Sequence, residues 1–314
     1  MEAIITSIED YGDVRIFQLR ALDGAALPSY EAGAHLDVTL GNGLTRQYSL
    51  CCPRPSGDSY RIAVKRDPNS RGGSEWLHKE AVEGGTLTIG MPRNAFSLRP
   101  SAGTHLLFAG GIGVTPLLSM AYALHRAGRP FQLAYFVRTP RDNAFVEELA
   151  SGPLASHVMV IAGQTPLDNA ARIEALMRAA PATATTVYTC GPAPFMDAVI
   201  ALGAARFGAD SVHKESFGAA PPATGEAPFI MRLARSCRDI EVPAGRSALA
   251  CLQDAGIVVD CSCEVGVCGT CRTVVLEGRP EHLDSVLSDA EKQANGCFMP
   301  CVSRSHTPVL YLDL

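Results

Sequence analysis

The sequence lacks three features that would each define a class of protein. It has no basic excess, since 27 basic and 32 acidic residues give a formal net charge of −5, and this argues against nucleic-acid binding. No apolar run approaches the ~18–20 residues that cross a bilayer. A secretory signal has a basic start followed by an apolar stretch, and the N-terminus shows neither. We therefore expect a cytoplasmic protein with neither nucleic acid nor membrane as a partner.

Cysteine, in contrast, is abundant. There are 11 cysteines, and an odd number without an export signal argues against a disulfide framework and indicates a reducing compartment. Five are scattered, namely Cys51, Cys52, Cys190, Cys237 and Cys251. The other six lie in the last sixth of the chain, at Cys261, Cys263, Cys268, Cys271, Cys297 and Cys301. Such a cluster is more typical of a metal or redox site than of a disulfide framework.

The chain is organised as three modules. Residues 1–101 consist of short apolar runs separated by Gly, Pro, Asn and Asp, a pattern that predicts an antiparallel barrel or sandwich. Residues 102–218 alternate strand and helix patterns, which predicts a doubly wound parallel sheet. Residues 219–228, rich in Ala, Pro and Gly, are predicted to be a linker. Residues 229–314 are predicted to form a small α+β unit with one helix.

Two helices carry clear boundary signals. In the second module, Thr115 is the expected N-cap, Pro116 suits the first helical position and Gly128 suits the end. In the third module, Ser247 and Gly256 are expected to bound the single helix.

The clustered cysteines include a specific spacing. Cys263, Cys268 and Cys271 form C-x4-C-x2-C, and 29 residues separate Cys271 from Cys301. This is the plant-type ligand spacing for a 2Fe–2S cluster. Three thiolates would come from one tight loop, in which glycines allow close wrapping and let backbone N–H groups point at the sulfurs.

Two other interpretations of these cysteines stay open. They could be buried and inert, or they could bind zinc, although zinc sites usually use paired C-x2-C knuckles and only one such pair is present. Cys297 is a rival fourth ligand, but only 25 residues separate it from Cys271, so Cys301 fits the plant-type spacing better.

A glycine-rich turn in the second module indicates a nucleotide site. LLFAGGIGVTP places Gly110, Gly111 and Gly113 between a strand and a helix, where a backbone without side chains lets a pyrophosphate approach the helix N-terminus. It is not a G-x-G-x-x-G fingerprint, and such glycines often serve tight packing alone. The triplet Cys190, Gly191 and Pro192 ends a later strand and is expected beside this turn, at the carboxyl edge of the sheet.

The first module contains two further signals. In RQYSL, Arg46 can neutralise a phosphate and Tyr48 can stack on a flat heterocycle. Gly72, Gly73 and Ser74 precede a short helical pattern and form a second candidate anion site. Taken singly, each is more often an ordinary strand or turn.

Together these motifs resemble the phthalate dioxygenase reductase family of the ferredoxin–NAD(P)+ reductase superfamily, over nearly the whole chain and in the same domain order. The resemblance implies an FMN-binding antiparallel β-barrel (1–101), an NAD-binding α/β domain with a doubly wound parallel sheet (102–218) and a plant-type 2Fe–2S ferredoxin domain of β-grasp, α+β type (229–314). No segment resembles an adenine-binding loop for FAD, so FMN is expected.

The resemblance also implies roles for individual residues. Those expected to contact FMN are Arg46, Gln47, Tyr48, Ser49, Val64, Lys65, Arg66, Gly72, Gly73 and Ser74, with Gln47 standing where relatives often have a small hydroxyl residue. Those expected at the pyridine nucleotide are Gly110, Gly111, Gly113, Thr115, Cys190, Gly191, Pro192, Glu215 and Phe217. Of these, Ser49, Cys190 and Glu215 are the expected catalytic residues. Arg138 and Arg141 could accommodate a 2′-phosphate, so NADPH stays open, although the family favours NADH.

The implied activity is electron transfer from NADH through FMN to the cluster held by Cys263, Cys268, Cys271 and Cys301, and on to a separate Rieske-type aromatic oxygenase or O-demethylase. That terminal oxygenase would dock transiently on a monomer. Two alternatives remain at this point: a reductase for a diiron or haem oxygenase, and a redox sensor or electron carrier without turnover.

Overall fold

A computed structural model describes residues 1–314 except 53–57, 69, 140–143, 164, 218–226, 262, 267 and 285. The chain separates into two units, Met1–Phe217 and Gly218–Leu314. The predicted first and second modules lie within the first unit, so a boundary between residues 101 and 102 stays a prediction. Most of the predicted linker, 219–226, lies outside the described residues.

The first unit begins with an antiparallel β-barrel. Its strands are β1 (Glu2–Tyr11), β2 (Val14–Ala21), β3 (His35–Thr39), β4 (Thr45–Ser49), β5 (Tyr60–Lys65) and β6 (Thr86–Ile89), in the sheet order β4-β3-β6-β1-β2-β5. A bridge between Leu50 and Ile62 joins the two edges of this sheet. Alternation along the strands sends one set of side chains inward, and Phe17 and Leu36 are fully buried there. Helix α1 (Gly73–Lys79) adds Leu77 to the same core.

A parallel sheet completes the first unit. Its strands are β7 (Thr104–Gly110), β8 (Phe131–Val137), β9 (Val158–Ala162), β10 (Thr185–Cys190) and β11 (Val212–Glu215), in the order β11-β10-β7-β8-β9. The helices are α2 (Val114–Arg126), α3 (Val146–Ser151), α4 (Pro166–Ala179) and α5 (Ala193–Phe207). One buried cluster contains residues of α2 and α3, and a second contains residues of α4 and α5. The predicted doubly wound sheet is confirmed, although the short β11 was not predicted.

The boundary of α2 differs from its prediction. A turn of 3-10 helix at Gly111–Gly113 runs directly into α2, so the N-cap is Gly113. The N-cap prediction for Thr115 is therefore wrong: its hydroxyl donates to the Ile112 carbonyl at 3.1 Å. Pro116 is the third helical residue rather than the first. The stop at Gly128, which has φ +61°, is confirmed.

The second unit is an α+β fold. Strands β12 (Phe229–Leu233), β13 (Arg238–Val242), β14 (Thr273–Glu277), β16 (Cys297–Phe298) and β18 (Val309–Leu312) form a mixed sheet in the order β13-β12-β18-β14-β16, and β15 (Pro280–Glu281) pairs with β17 (Arg304–Ser305). Helix α6 (Ala248–Asp254) is capped by the Ser247 hydroxyl as predicted and packs Leu252 into the sheet core.

A second helix in this unit, α7 (Asp289–Ala294), was not predicted. A capping box marks its start, in which Ser288 and Glu291 bond each other's backbone N–H groups. The S-x-x-E spacing is the sequence signal that could have located it. None of the described helices combines the length and apolarity that a membrane span requires.

Candidate functional site

Two loops meet at the carboxyl edge of the parallel sheet. Strands β7 and β10 are paired neighbours, with Cys190 opposite Ala109. A Cβ atom on Gly113 would lie 2.3 Å from the Cys190 carbonyl oxygen, and one on Gly191 would lie 2.9 Å from the Cα of Gly110. The loops are therefore in backbone contact, where the sequence placed them. A Cβ atom on Gly110 would in turn lie 2.9 Å from Pro192 Cδ. Packing alone therefore requires glycine at Gly110, Gly113 and Gly191, whatever ligand binds.

Gly111 differs from its neighbours. Its φ is +56°, and a Cβ atom built there would meet nothing within 4 Å. A glycine in this conformation that faces open space at the start of a helix lets a ligand approach the backbone closely. The loop therefore fits a pyrophosphate, and Gly111 is the glycine that packing does not explain.

Ser49, Glu215 and Cys190 form one cluster at this edge. Ser49, at the end of β4, is 6% exposed and its hydroxyl donates to Glu215 Oε2 at 3.4 Å. Glu215 ends β11 and pairs in register with Cys190 at the end of β10. The three expected catalytic residues, which lie far apart in the sequence, therefore meet where the barrel contacts the parallel sheet.

The cluster is largely uncharged near neutral pH. Burial raises the pKa of Glu215 to about 8, and the hydrogen bond from Ser49 partly opposes this shift. Burial, together with the neighbouring Glu215, also raises the pKa of the Cys190 thiol well above its ordinary value. Cys190 is fully buried, so it is a thiol that shapes the wall of the site rather than a reactive thiolate.

Arg46 and the turn before α1 lie together in the barrel. The Arg46 guanidinium donates to the carbonyls of Thr45 at 2.8 Å and Arg71 at 3.1 Å. A Cβ atom on Gly73 would lie 2.7 Å from Arg46 Cγ, and the preceding Gly72 has φ +85°. The two predicted phosphate-binding elements therefore form one cationic cradle that only glycine permits, and it fits the phosphate of FMN.

Other predicted flavin contacts have protein partners. Gln47 donates to Asp37 Oδ1 at 2.9 Å across the strands, and Lys65 Nζ lies 3.3 Å from Asp13 Oδ2. Ser74 Oγ donates to Ser70 Oγ at 3.1 Å. The Val64 side chain is buried in the barrel core, so only its backbone can meet a ligand. Tyr48 is half-buried and Arg66 is exposed.

Three other predicted residues lie near the carboxyl edge of the parallel sheet, which we call the nucleotide edge. Thr115 is 2% exposed, and its hydroxyl is held within the glycine-rich turn. Phe217 is 43% exposed, two residues beyond Glu215. Arg138 is exposed and follows β8 directly. Arg141 lies outside the described residues.

The four predicted cysteine ligands are brought together in the second unit. The sulfurs of Cys271 and Cys301 lie 3.3 Å apart, and the thiols of Cys263 and Cys268 are hydrogen-bonded to each other. Backbone N–H groups point at two of the sulfurs, from Val265 to Cys263 at 3.4 Å and from Thr270 to Cys268 at 3.5 Å. Cys297, the rival fourth ligand, is buried in β16 and pairs with Val274 of β14.

Hydrogen bonds between these thiols favour the thiolate form of two of the four, Cys268 and Cys271. The hydrogen bond from Cys263 lowers the pKa of Cys268 to about 5. Cys271 and Cys301 share a proton, which lowers the pKa of Cys271 and raises that of Cys301. No three His, Cys, Asp or Glu side chains in the described part of the chain converge as ligands of a single ion would. Two pairs of thiols suit a cluster with two irons better than they suit one zinc ion.

Asp284 lies beside the cysteine loop and was missed by the sequence reasoning. Its carboxylate accepts hydrogen bonds from the N–H groups of Val286 at 3.1 Å and Leu287 at 2.9 Å. A Cβ atom on Gly266 would lie 3.3 Å from the Cα of Asp284. The local pattern D-S-V-L is compatible with an Asx turn, which is the only signal the sequence offered.

A family model matches part of this chain, and relatives match nearly all of it. The model of the 2Fe-2S iron-sulfur cluster binding domain matches residues 232–306. The phenoxybenzoate dioxygenase subunit beta of Ectopseudomonas oleovorans is 43% identical over 305 residues, covering 96% of this chain and 93% of the relative. The vanillate O-demethylase oxidoreductase of Pseudomonas putida is 41% identical over 318 residues and covers all of both chains.

Solved structures that are similar to this chain include the following two. Phthalate dioxygenase reductase, described as a modular structure for electron transfer from pyridine nucleotides to 2Fe–2S, is 41% identical and matches all of this chain and 98% of its own, with a TM-score of 0.79. An intact type IV self-sufficient cytochrome P450 monooxygenase is 34% identical with a TM-score of 0.79. In that second case this chain corresponds to 41% of the larger protein.

Proposed function

The chain belongs to the phthalate dioxygenase reductase family, and from this premise we propose that it is the NADH-dependent reductase of a two-component oxygenase system. It takes electrons from NADH through FMN to a 2Fe–2S cluster and delivers them to a separate Rieske-type aromatic oxygenase or O-demethylase. The observation that carries the proposal is the meeting of Ser49 with Glu215 beside Cys190, which joins the barrel to the nucleotide edge of the parallel sheet.

A bound flavin converts a hydride, which carries two electrons, into the single electrons that a 2Fe–2S cluster accepts. The protein supplies binding, orientation and electrostatics for that chemistry. Arg46 and the Gly72–Ser74 turn would hold the phosphate by charge and by backbone approach, and the half-buried Tyr48 would offer a flat aromatic face to the flavin ring.

The nucleotide would lie along the glycine-rich turn. Gly111 would let its pyrophosphate reach the start of α2, and Cys190 and Thr115 would line the wall beside the nicotinamide. Ser49 and Glu215 close the site from the barrel side. Because Glu215 is largely protonated near neutral pH, the cluster can hold a proton beside the reacting ring and places no full charge against it.

The second unit supplies the exit for electrons. Cys263, Cys268, Cys271 and Cys301 would hold a 2Fe–2S cluster, and the N–H groups of Val265 and Thr270 would stabilise the sulfur charge. No disulfide joins any of the eleven cysteines, which suits the reducing cytoplasm. Family likeness supports a monomer that docks its oxygenase transiently.

Four measurements on the purified protein test the proposal. An optical spectrum should show flavin and 2Fe–2S absorbance, and chromatography of the extracted flavin should identify FMN rather than FAD. Ferricyanide reduction should be faster with NADH than with NADPH. Electrons should then reach a purified Rieske-type oxygenase from a related catabolic system. Slow NADH turnover in a protein loaded with both cofactors would favour the redox-sensor alternative.

A haem-containing partner is the second candidate, because the similar P450 monooxygenase includes a region that matches this whole chain. The two candidates separate in one comparison. Reductase, NADH and either a Rieske oxygenase or a cytochrome P450 are mixed anaerobically, and reduction of each acceptor is followed by its own absorbance. Preferential reduction of the haem protein would replace the Rieske assignment.

A further inference from the structure

Arg61, on β5, places a buried positive charge at the contact between the barrel and the parallel sheet. The residue is 9% exposed and belongs to none of the cofactor motifs. A buried guanidinium is costly unless charge and hydrogen bonds compensate it, so its partners indicate what it holds in place.

On the barrel side, Arg61 holds the segment that follows Ser49. Its Nε and Nη2 both donate to the Cys51 carbonyl oxygen, at 3.1 and 2.8 Å. In return the Cys51 N–H donates to the Arg61 carbonyl at 2.9 Å. Cys51 is two residues beyond Ser49, so these bonds fix the end of β4 where the Ser49 hydroxyl faces Glu215.

On the other side, Arg61 pairs with Glu148 of α3. Nη1 lies 2.9 Å from Oε2 and Nη2 lies 3.0 Å from Oε1, a bidentate geometry that fixes orientation as well as distance. The guanidinium also lies 5.2 Å from the centre of the Phe145 ring, at the start of α3. This is the segment that follows Arg138 at the nucleotide edge.

A third element joins through the same carboxylate. The Tyr122 hydroxyl, on α2, donates to Glu148 Oε1 at 2.5 Å. Helix α2 begins at the glycine-rich turn. Glu148 therefore bonds both to α2, which begins at the glycine-rich turn, and to Arg61, which fixes the end of β4.

We infer that Arg61 is a positioning residue for hydride transfer. With Glu148 and Tyr122 it forms a clamp that holds the end of β4, beside the proposed flavin site, to helices α2 and α3. The clamp touches no cofactor or substrate. It sets the distance and angle between nicotinamide and flavin, to which a hydride transfer is steeply sensitive. This inference rests on the proposed function.

Arg61→Lys is the informative variant. Lysine keeps the positive charge, so Glu148 is not left alone, but its single ammonium cannot reproduce the planar fork that spans Cys51 and both oxygens of Glu148. We expect normal FMN and iron content, an unchanged KM for NADH, and a limiting rate of flavin reduction lowered about tenfold in anaerobic stopped flow. The absorbance change on titrating NAD+ into the oxidised protein should also shrink, because it reports stacking on the flavin.

Arg178→Lys is the matched control. Arg178 forms an exposed pair with Glu174 on α4 of the same unit, at 2.6 Å, so the same substitution should leave the rate and the titration unchanged. Wild-type protein that fails to reduce its flavin with NADH would contradict the proposed function. An active wild type and a folded Arg61→Lys variant with rates within about twofold of each other would overturn the clamp alone.

Tyr122→Phe covers the case in which Arg61→Lys loses FMN or fails to fold. It removes one hydrogen bond and keeps the ring, and we expect a two- to threefold slower flavin reduction, about 0.5 kcal/mol in the barrier, with KM unchanged. A wild-type rate in Tyr122→Phe would then overturn the inference.

Discussion

The two units gather their proposed cofactor residues in different ways. In the second unit, side chains are the ligands, and three of the four come from the single loop that contains Cys263, Cys268 and Cys271. In the first unit, strand ends and glycine turns from distant parts of the chain form the sites. Ser49 and Glu215 are separated by 166 positions, yet they share a hydrogen bond.

This difference predicts different responses to substitution. A site made of side chains is lost when one ligand is removed, because each thiolate is a covalent contact to the metal. A site made of backbone and strand ends tolerates the loss of one side chain and fails gradually, through position and protonation. The following variants test that contrast.

The largest effect is expected from Cys271→Ser. Without one thiolate the 2Fe–2S cluster should be absent or unstable, so electron transfer to cytochrome c or to the oxygenase should be abolished. NADH oxidation with ferricyanide should persist, because the first unit still reduces its flavin. The visible spectrum and both acceptor assays measure this directly.

Cys237→Ser is the control for that variant. Cys237 is exposed and follows β12 in the same unit, and its removal should leave both assays unchanged. If ferricyanide reduction collapsed together with cytochrome c reduction in a folded, flavin-loaded Cys271→Ser protein, the proposed order of electron carriers would be wrong.

The same contrast explains how much could be predicted from the sequence. The cysteine spacing, the barrel, the doubly wound sheet and the two neighbouring loops of the nucleotide edge were all predictable, because each is written in local spacing or period. Even the contact of the Gly110 turn with Cys190 follows from a rule about parallel strands.

What could not be predicted depends on contacts between distant segments. Arg61 and Glu148 lie 87 positions apart, and neither belongs to a motif. The prediction of Thr115 as the N-cap of α2 was wrong because the turn Gly111–Gly113 is already helical. The helix therefore begins before Thr115, although threonine is a residue type that often caps helices. Asp284 acts through an irregular turn that has no period to detect.

A smaller effect is expected from Glu215→Gln, which removes a titrating group from the first unit. The pKa of Glu215 is raised by burial from 4.5 to about 8, so the folded protein holds this proton more tightly than the unfolded chain does. The stability it contributes is therefore complete below pH 4.5 and is lost as the pH rises to about 8. Glutamine removes this loss.

The measurement is the temperature at which flavin fluorescence appears, taken from pH 5 to pH 8 in the holoprotein. Over this range the unfolding temperature of the wild type should fall by about 2–4 °C more than that of Glu215→Gln, which is the shift that about 1 kcal/mol produces in a domain of this size. We expect no more than this because solvent that reaches the half-buried carboxyl screens part of the effect. Glu174→Gln, at an exposed helix position, should behave like wild type. Parallel curves for wild type and Glu215→Gln would exclude the buried proton.

The smallest effect is expected from Gly111→Ala, which tests whether the backbone of the glycine-rich turn binds NADH. Gly111 and Gly128 lie near opposite ends of α2, with φ of +56° and +61°, and a methyl group added at either would point into open space. Alanine should strain both turns by about 1 kcal/mol. Only at Gly111 does the methyl group also intrude on the proposed pyrophosphate, so NADH affinity should fall about fivefold there and not in Gly128→Ala. Equal NADH dissociation constants in the two variants would mean that the open space beside Gly111 does not hold the nucleotide.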